Sequence, residues 1–289
     1  MQNEKQVSSK SNRLRGVRIF WYRSLFLLVF PSFQGDLATE PEPRIEPIMP
    51  SATVLPFAHA HNDYQHDKPL AEALSRGFVS VEADVHLVGN ELYLGHWFPK
   101  LSPESTLRER YLKPLNDLMM RQNGKVYSNY SGVFYLMIDI KTDSLSTWRA
   151  LRNALLDYPV FQCNPHFQVF ISGNRALFHA QQDEEQVMTV DGRLPDLFKQ
   201  TDSGYMPVIS DNFRKYFKWR GRGPIPEEEF SLLLQLSGEA HRQGKKLRFW
   251  SIPDLPDAWK VLMKAGVDLI STDNLQGLEQ FCISGQMTD

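Results

Sequence analysis

From Thr53 onward the chain alternates between short runs dominated by Val, Ile, Leu and Phe and longer stretches in which apolar residues recur every three or four positions. The short runs, at 54–60, 78–85, 133–140, 167–172, 206–210, 247–251 and 267–271, are apolar at successive rather than alternate positions. A strand of that kind is buried on both faces, as in a parallel sheet covered by helices. A further strand is expected near 186–190 and a short extended segment at 92–95. Amphipathic stretches fill the intervals. The first, 68–76, stops at Gly77, a residue suited to the left-handed turn that ends a helix. The next opens at Ser102-Pro103-Glu104, with a capping hydroxyl, a first-turn proline and an early acid, and continues over 106–121 towards Gly124. Helices are also predicted at 145–157, 174–182, 227–243, 256–265 and 274–281. Gln243-Gly244 and Ala265-Gly266 repeat one device, in which a helix ends at a glycine and a strand follows.

About eight strand–helix units over roughly 240 residues predict an α/β fold of the (β/α)₈ TIM-barrel type. A doubly wound sheet is the alternative. That fold would usually open on a glycine-rich phosphate turn after its first strand, and Phe57-Ala58-His59-Ala60-His61-Asn62-Asp63-Tyr64 contains no glycine.

Composition changes this picture mainly at the N-terminus. The 289 residues are 42% hydrophobic and 23% charged, enough for an ordinary core. The formal charge of −2 is unevenly distributed: residues 1–35 hold six basic residues (Lys5, Lys10, Arg13, Arg15, Arg18, Arg23) and one acid, Glu4. The rest of the chain is therefore net acidic, which argues against nucleic acid as a partner. The basic head runs into Ser24–Phe33, an apolar run too short to span a bilayer comfortably and of the kind found in secretory signals. Residues 1–38 are accordingly expected to direct export or envelope association, with membrane-surface contact. Residues 39–50, rich in Pro and Glu, are expected to be an extended linker, and 51–289 the barrel. Cys163 and Cys282 have no metal-type spacing, and the sequence leaves their pairing open.

In a parallel barrel the reactive groups gather at the carboxyl ends of the strands. His59, His61, Asn62 and Asp63 lie at or just past the end of the first strand, Glu82 and Asp84 in the second, His96 after the short extra segment, and Asp139 and Lys141 at the third long strand. Residues two apart on a strand share a face, so Glu82 with Asp84 puts two acids on one side of an apolar strand. Burying both is costly unless a cation compensates them. Three carboxylates (Glu82, Asp84, Asp139) suit one hard divalent ion, Mg²⁺ or Ca²⁺. Histidines beside it suit acid–base work, and Lys141 suits an anionic oxygen. His61, Asn62, Asn174 and Trp250 are further candidates for substrate contact, with helix capping as the competing role for Asn174. His66, His86, His166, His179 and His241 are expected to be solvated, as is the loop Arg220-Gly221-Arg222-Gly223-Pro224.

His59, Glu82-x-Asp84, His96 and Asp139-x-Lys141 resemble the signature of glycerophosphodiester phosphodiesterases, in the phospholipase-C-like barrel superfamily. The run 58–63 with Val81-Glu82-Ala83-Asp84-Val85 is also similar to the sphingomyelinase D branch. The fuller pattern His61-Asn62-Asp63-Tyr64, Pro69-Leu70, 80–85 and Leu94-Gly95-His96 looks closest to the altered-inheritance-of-mitochondria protein six type. The usual His-Arg-Gly turn of the glycerophosphodiesterases is here His59-Ala60-His61, and their frequent third Glu is Asp139. The resemblance implies a TIM barrel with one Mg²⁺ or Ca²⁺ held by Glu82, Asp84 and Asp139. It also implies acid–base catalysis by His59 and His96, Lys141 on the phosphate, and a small-molecule or lipid phosphodiester as substrate. The rival enzyme reading is an amidohydrolase-like or polymerase-and-histidinol-phosphatase-like hydrolase, with His59-x-His61 and Asp273 as metal ligands. A non-catalytic phospholipid-binding barrel is the rival outside enzymes.

Overall fold

The computed structural model describes residues 48–199 and 201–285. The expected export segment (1–38) and all but the last three residues of the expected linker (39–50) lie outside the described residues.

The described residues form nine strands: β1 (Leu55–Ala60), β2 (Phe78–Val88), β3 (Glu91–Leu94), β4 (Phe134–Ile140), β5 (Phe167–Gly173), β6 (Thr189–Gly192), β7 (Val208–Asn212), β8 (Lys246–Trp250) and β9 (Leu269–Thr272). They pair in the order β1-β9-β8-β7-β6-β5-β4-β2-β3, and an additional β1–β2 pairing closes the sheet. Every strand pair within the closed ring is parallel, whereas β3 folds back antiparallel on β2. The sheet is thus an eight-stranded parallel barrel with one hairpin strand beside it. The doubly wound alternative is excluded because that sheet would stay open.

Strand parity sets what lies inside. Tyr135, Met137, Phe170, Val208 and Leu269 form an apolar cluster of their own, a packed plug within the barrel of the kind that fills TIM barrels. One parity step further towards the carboxyl ends come Asp139 on β4, Ser172 on β5, Ser210 on β7 and Ser271 on β9, so the interior turns polar as it nears the mouth. The opposite strand faces meet the helices in the main core, which includes Val81, Ile138, Ile171, Leu247, Trp259 and Phe281.

The predicted elements are recovered with shifted ends. The strand expected at 186–190 begins later, at Thr189, which brings Asp191 into the sheet, and the one expected at 206–210 extends to Asn212. The helix expected over 68–76 is only Ala71–Ser75: Pro69 and a positive φ at Leu70 delay its start. The stretch 106–121 is a π turn, Arg108–Leu112, leading into an α-helix, Lys113–Arg121. The single-turn helices Leu194–Leu197 and Phe213–Tyr216 were not predicted, being too short to show periodicity. Cys163 and Cys282 are both free thiols. No described helix is long and apolar enough to cross a membrane.

Candidate active site

The β2–β4 wall carries three carboxylates. Glu82, Asp84 and Asp139 each offer an oxygen, and those oxygens lie within 4.8 Å of one another. The register explains this: Asp84 is the cross-strand partner of Asp139, and Glu82 lies one interior step below Asp84. Glycine at 173 makes room for the third acid, because a Cβ there would stand 2.1 Å from Asp139 Oδ1. Its φ of +67° is also one that side chains resist.

Each carboxylate is held from one side. Glu82 Oε2 accepts from buried Arg248 Nη2 at 2.8 Å and from His59 Nε2 at 3.2 Å. Burial pushes the Glu82 pKa up, but the Arg248 charge and the His59 hydrogen bond outweigh it and hold the group ionised. Asp84 Oδ2 accepts from Tyr64 Oη (2.7 Å) and His96 Nδ1 (2.7 Å), and Lys141 Nζ stands 3.0 Å away. Its other oxygen, Oδ1, is buried without a hydrogen-bond partner. Asp139 is 3.2 Å from Lys141 Nζ. Burial, reinforced by the charges of Asp84 and Glu82, raises its pKa to about 6 against the opposing pull of Lys141. An orphaned buried carboxylate oxygen beside two more acids is a site that fits a hard cation with oxygen ligands. Glu82, Asp84 and Asp139 are the residues that would hold it. Among the described residues this all-carboxylate cluster is the one such group, and neither His59, His61 nor Asp273 belongs to it. The His-x-His transition-metal centre of the rival reading is therefore not assembled.

Of the three histidines expected at the site, His61 and His96 reach the mouth and His59 does not. His59, expected as one acid–base residue, has no exposed surface, because at its position on β1 the side chain points down into the barrel. Its Nε2 faces the Glu82 carboxylate and its Nδ1 lies 2.7 Å from Ser80 Oγ, so Nε2 carries the proton and Nδ1 accepts. Burial and the Arg248 charge lower its pKa to about 3, which keeps the ring neutral. His59 supports Glu82 from below. His61, one interior step higher, lies at the mouth with its side chain 26% exposed, and its Nδ1 donates to Asp273 Oδ1 at 2.8 Å. Burial disfavours its charge, but the Asp273 hydrogen bond and nearby Glu82 raise the pKa overall. His96 is 41% exposed on the loop after β3, with Nδ1 held by Asp84. Lys141, expected on the phosphate, lies between Asp84 and Asp139, and those two acids raise its pKa against the effect of burial.

Asn62 takes a left-handed turn (φ 53°) and donates to Asp273 Oδ1. Asn174 was expected at the substrate, but its amide binds the carbonyls of Lys141 and Thr142, so it braces the loop after β4. Trp250 lies on the opposite wall beneath the Arg193 guanidinium, 5.0 Å from the ring centre. His86, expected in solvent, is buried on β2 and bonds the His96 carbonyl. The loop 220–224 is largely solvent-facing, as expected.

Sequence reasoning missed two members of the site, Tyr64 and Arg248. Tyr64 stands inside the quoted motif and its hydroxyl bridges to Asp84. Arg248 was signalled only by parity, since a cation in Lys246-Leu247-Arg248-Phe249-Trp250 must face an acid if it points inward.

The AIM6-like phosphodiesterase domain profile matches residues 50–159, and that of the glycerophosphoryl diester phosphodiesterase family matches 246–276. Altered inheritance of mitochondria protein 6 of Kluyveromyces lactis is 31% identical over 332 aligned positions, covering 88% of this chain and 78% of that protein. The chain belongs to the altered inheritance of mitochondria protein 6 family. Other members include the homolog from Arthroderma benhamiae, 28% identical over 77% of this chain and 82% of its own length, and the protein of Eremothecium gossypii, 28% identical over 79% and 70%. Among solved structures, a glycerophosphodiester phosphodiesterase from Parabacteroides distasonis superposes with a TM-score of 0.49 at 14% identity, over 80% of this chain and 97% of its own. The matched 50–159 stretch of the family member holds His61, Tyr64, all three carboxylates, His96 and Lys141.

Proposed function

We propose that this protein is a metal-dependent phosphoric diester hydrolase acting on a glycerophosphodiester or phospholipid-type substrate. The observation that carries the reading is the triad Glu82, Asp84 and Asp139 around one point, flanked by Lys141 and two mouth-facing histidines. Mg²⁺ or Ca²⁺ bound there would supply positive charge to the non-bridging phosphate oxygens as the phosphorus is attacked. Lys141 adds a fixed positive charge beside the same oxygens.

His61 and His96 are the proposed acid–base pair, with His59 a supporting residue. Each mouth histidine gives Nδ1–H to a carboxylate, Asp273 or Asp84, which fixes the tautomer and leaves Nε2 for proton transfer. One ring takes the proton of the attacking hydroxyl, from water or from the substrate itself. The phosphorus–oxygen bond to the leaving alcohol breaks, and the other ring protonates that alcohol. The raised pKa of His61 suits it to enter protonated, as the acid.

His61→Ala and His96→Ala should each lower kcat by about 10²–10⁴-fold on diesters such as glycerophosphocholine or lysophospholipid, with melting temperatures close to wild type. His59→Ala should instead lower stability, because it leaves Glu82 and Ser80 short of a partner. An inactive but fully stable His59→Ala protein together with an active His61→Ala protein would reverse the assignment. Chelator should abolish turnover and Mg²⁺ or Ca²⁺ restore it. The basic-then-apolar head supports export or an envelope location, and an export-reporter fusion of residues 1–38 that stays in the cytoplasm would remove that part of the reading.

A further inference from the structure

The three carboxylates occupy only β2 and β4. In the ring β6 stands fourth from β1 and third from β2, so its end faces them across a lumen that an eight-stranded barrel keeps narrow. That far wall is cationic and aromatic. Asp191 on β6 is fully buried and is approached by two guanidinium groups, Arg193 Nη1 at 2.7 Å from Oδ2 and Arg175 Nη1 at 3.3 Å from Oδ1. Ser172 donates to the same carboxylate at 2.8 Å. Arg193 also binds the Ser210 carbonyl, and its guanidinium lies over the Trp250 ring, 5.0 Å from the centre. Its side chain is 25% exposed.

The charges do not cancel there. Arg175 and Arg193 face the one carboxylate of Asp191, and a further acid, Asp196, is paired with Lys199 at 2.8 Å. Asp211 is turned out of the barrel, where it accepts from Leu194 N and Tyr216 Oη. One positive charge is left over on the β6–β8 wall. On the metal wall, three carboxylates against Lys141 and Arg248 leave one negative charge. A divalent ion would turn that into one positive charge, matched by the single charge of a diester. The surplus on the far wall is therefore available to a second anionic group.

Resting on the phosphodiesterase reading, we infer that Arg193, braced by Asp191 and Trp250, forms a subsite for a second anionic group, a phosphomonoester carried by the alcohol moiety of the substrate. The guanidinium lies over an aromatic face with its fork restrained by Asp191, so little rotamer freedom is lost when it binds a phosphate. The diester would lie at the carboxylates with its headgroup reaching across to β6.

The test compares glycerophosphoinositol with its 4-phosphate, which differ by one phosphomonoester, using the full chain and Mg²⁺ or Ca²⁺. Wild type should show kcat/KM at least tenfold higher for the phosphorylated diester, and Arg193→Ala should bring that ratio close to one. A wild-type ratio at or below one, or equal losses on both substrates in the variant, overturns the subsite. Removing Arg193 leaves buried Asp191 under-compensated, so Asp191→Asn/Arg193→Ala is tested beside it and both melting temperatures are measured. A second arm does not depend on turnover. Calorimetry in chelator should show glycerol 3-phosphate binding to wild type and at least tenfold weaker binding to either variant. Inorganic phosphate binding more tightly than glycerol 3-phosphate, or glycerol 3-phosphate binding that the variants leave unchanged, overturns the headgroup role. Failure to hydrolyse any diester with either metal would count against the phosphodiesterase reading, and the binding arm would then decide the subsite alone.

Discussion

The two histidines of His59-Ala60-His61 differ by one interior step on a strand, and that step separates a neutral buried ring from one at the mouth. Their neighbour Asp63 shows how the same loop is fastened. It is fully buried, and its Oδ2 accepts from Leu70 N and Tyr111 Oη, both at 2.7 Å, while Oδ1 has no partner. Burial raises its pKa to about 6, against the opposing hydrogen bonds from Tyr111 and Leu70. A carboxyl with a raised folded-state pKa favours the fold at low pH. That contribution is fully present below the ordinary aspartate value of 3.8 and is lost as pH rises through about 6. Asp63→Asn keeps an acceptor and removes the titration. Its stability relative to wild type should increase between pH 4 and 6 and level off above 7, by on the order of 2–3 kcal/mol. Urea melts across that range would show a flat or falling difference if the carboxylate were instead stabilised by its hydrogen bonds.

At the scale of elements, the hairpin β2–β3 and the π turn do the positioning. β3 is not part of the closed barrel, yet its antiparallel pairing with β2 places the chain end so that His96 returns to Asp84. The turn that follows is tight: a Cβ at position 95 would lie 2.2 Å from Phe98 O and 2.9 Å from Pro99 Cα. Gly95→Ala should therefore displace His96, lowering kcat at least tenfold while the barrel still melts cooperatively. Crystals of the variant with His96 Nδ1 still on Asp84 would show the turn to be more tolerant than this. The π turn Arg108–Leu112 brings Tyr111 onto Asp63 and so ties the loop after β1 to the outer helical layer. Neither contribution was legible beforehand. The extended segment expected at 92–95 is β3, but so short a run carries no sign of its antiparallel pairing, and a single π turn has too little periodicity to be recognised, whereas the long apolar runs of β2, β4 and β5 were placed within a few residues of their ends.

At the scale of the whole molecule, barrel closure gathers carboxylates from β2 and β4 and histidines from the ends of β1 and β3 at one mouth. A ligand that binds only the folded state raises stability in proportion to the logarithm of its concentration. Mg²⁺ or Ca²⁺ titrated into the apo protein should therefore raise its melting temperature progressively, and Asp139→Asn should remove most of that rise. A rise of equal size in the variant would place the ion elsewhere. The sequence by itself determined the number and order of strand–helix units, because apolar runs of strand length alternate with amphipathic ones. It determined the acidic wall too, because Glu82-x-Asp84 and Asp139-x-Lys141 share a face whenever they are extended. Only the tertiary structure decided which histidine reaches the mouth, that Arg248 lies beneath Glu82, and that Arg193 faces the carboxylates from across the lumen. Those outcomes depend on strand register around a closed ring and on depth within it, and neither quantity is written in any local stretch of the chain.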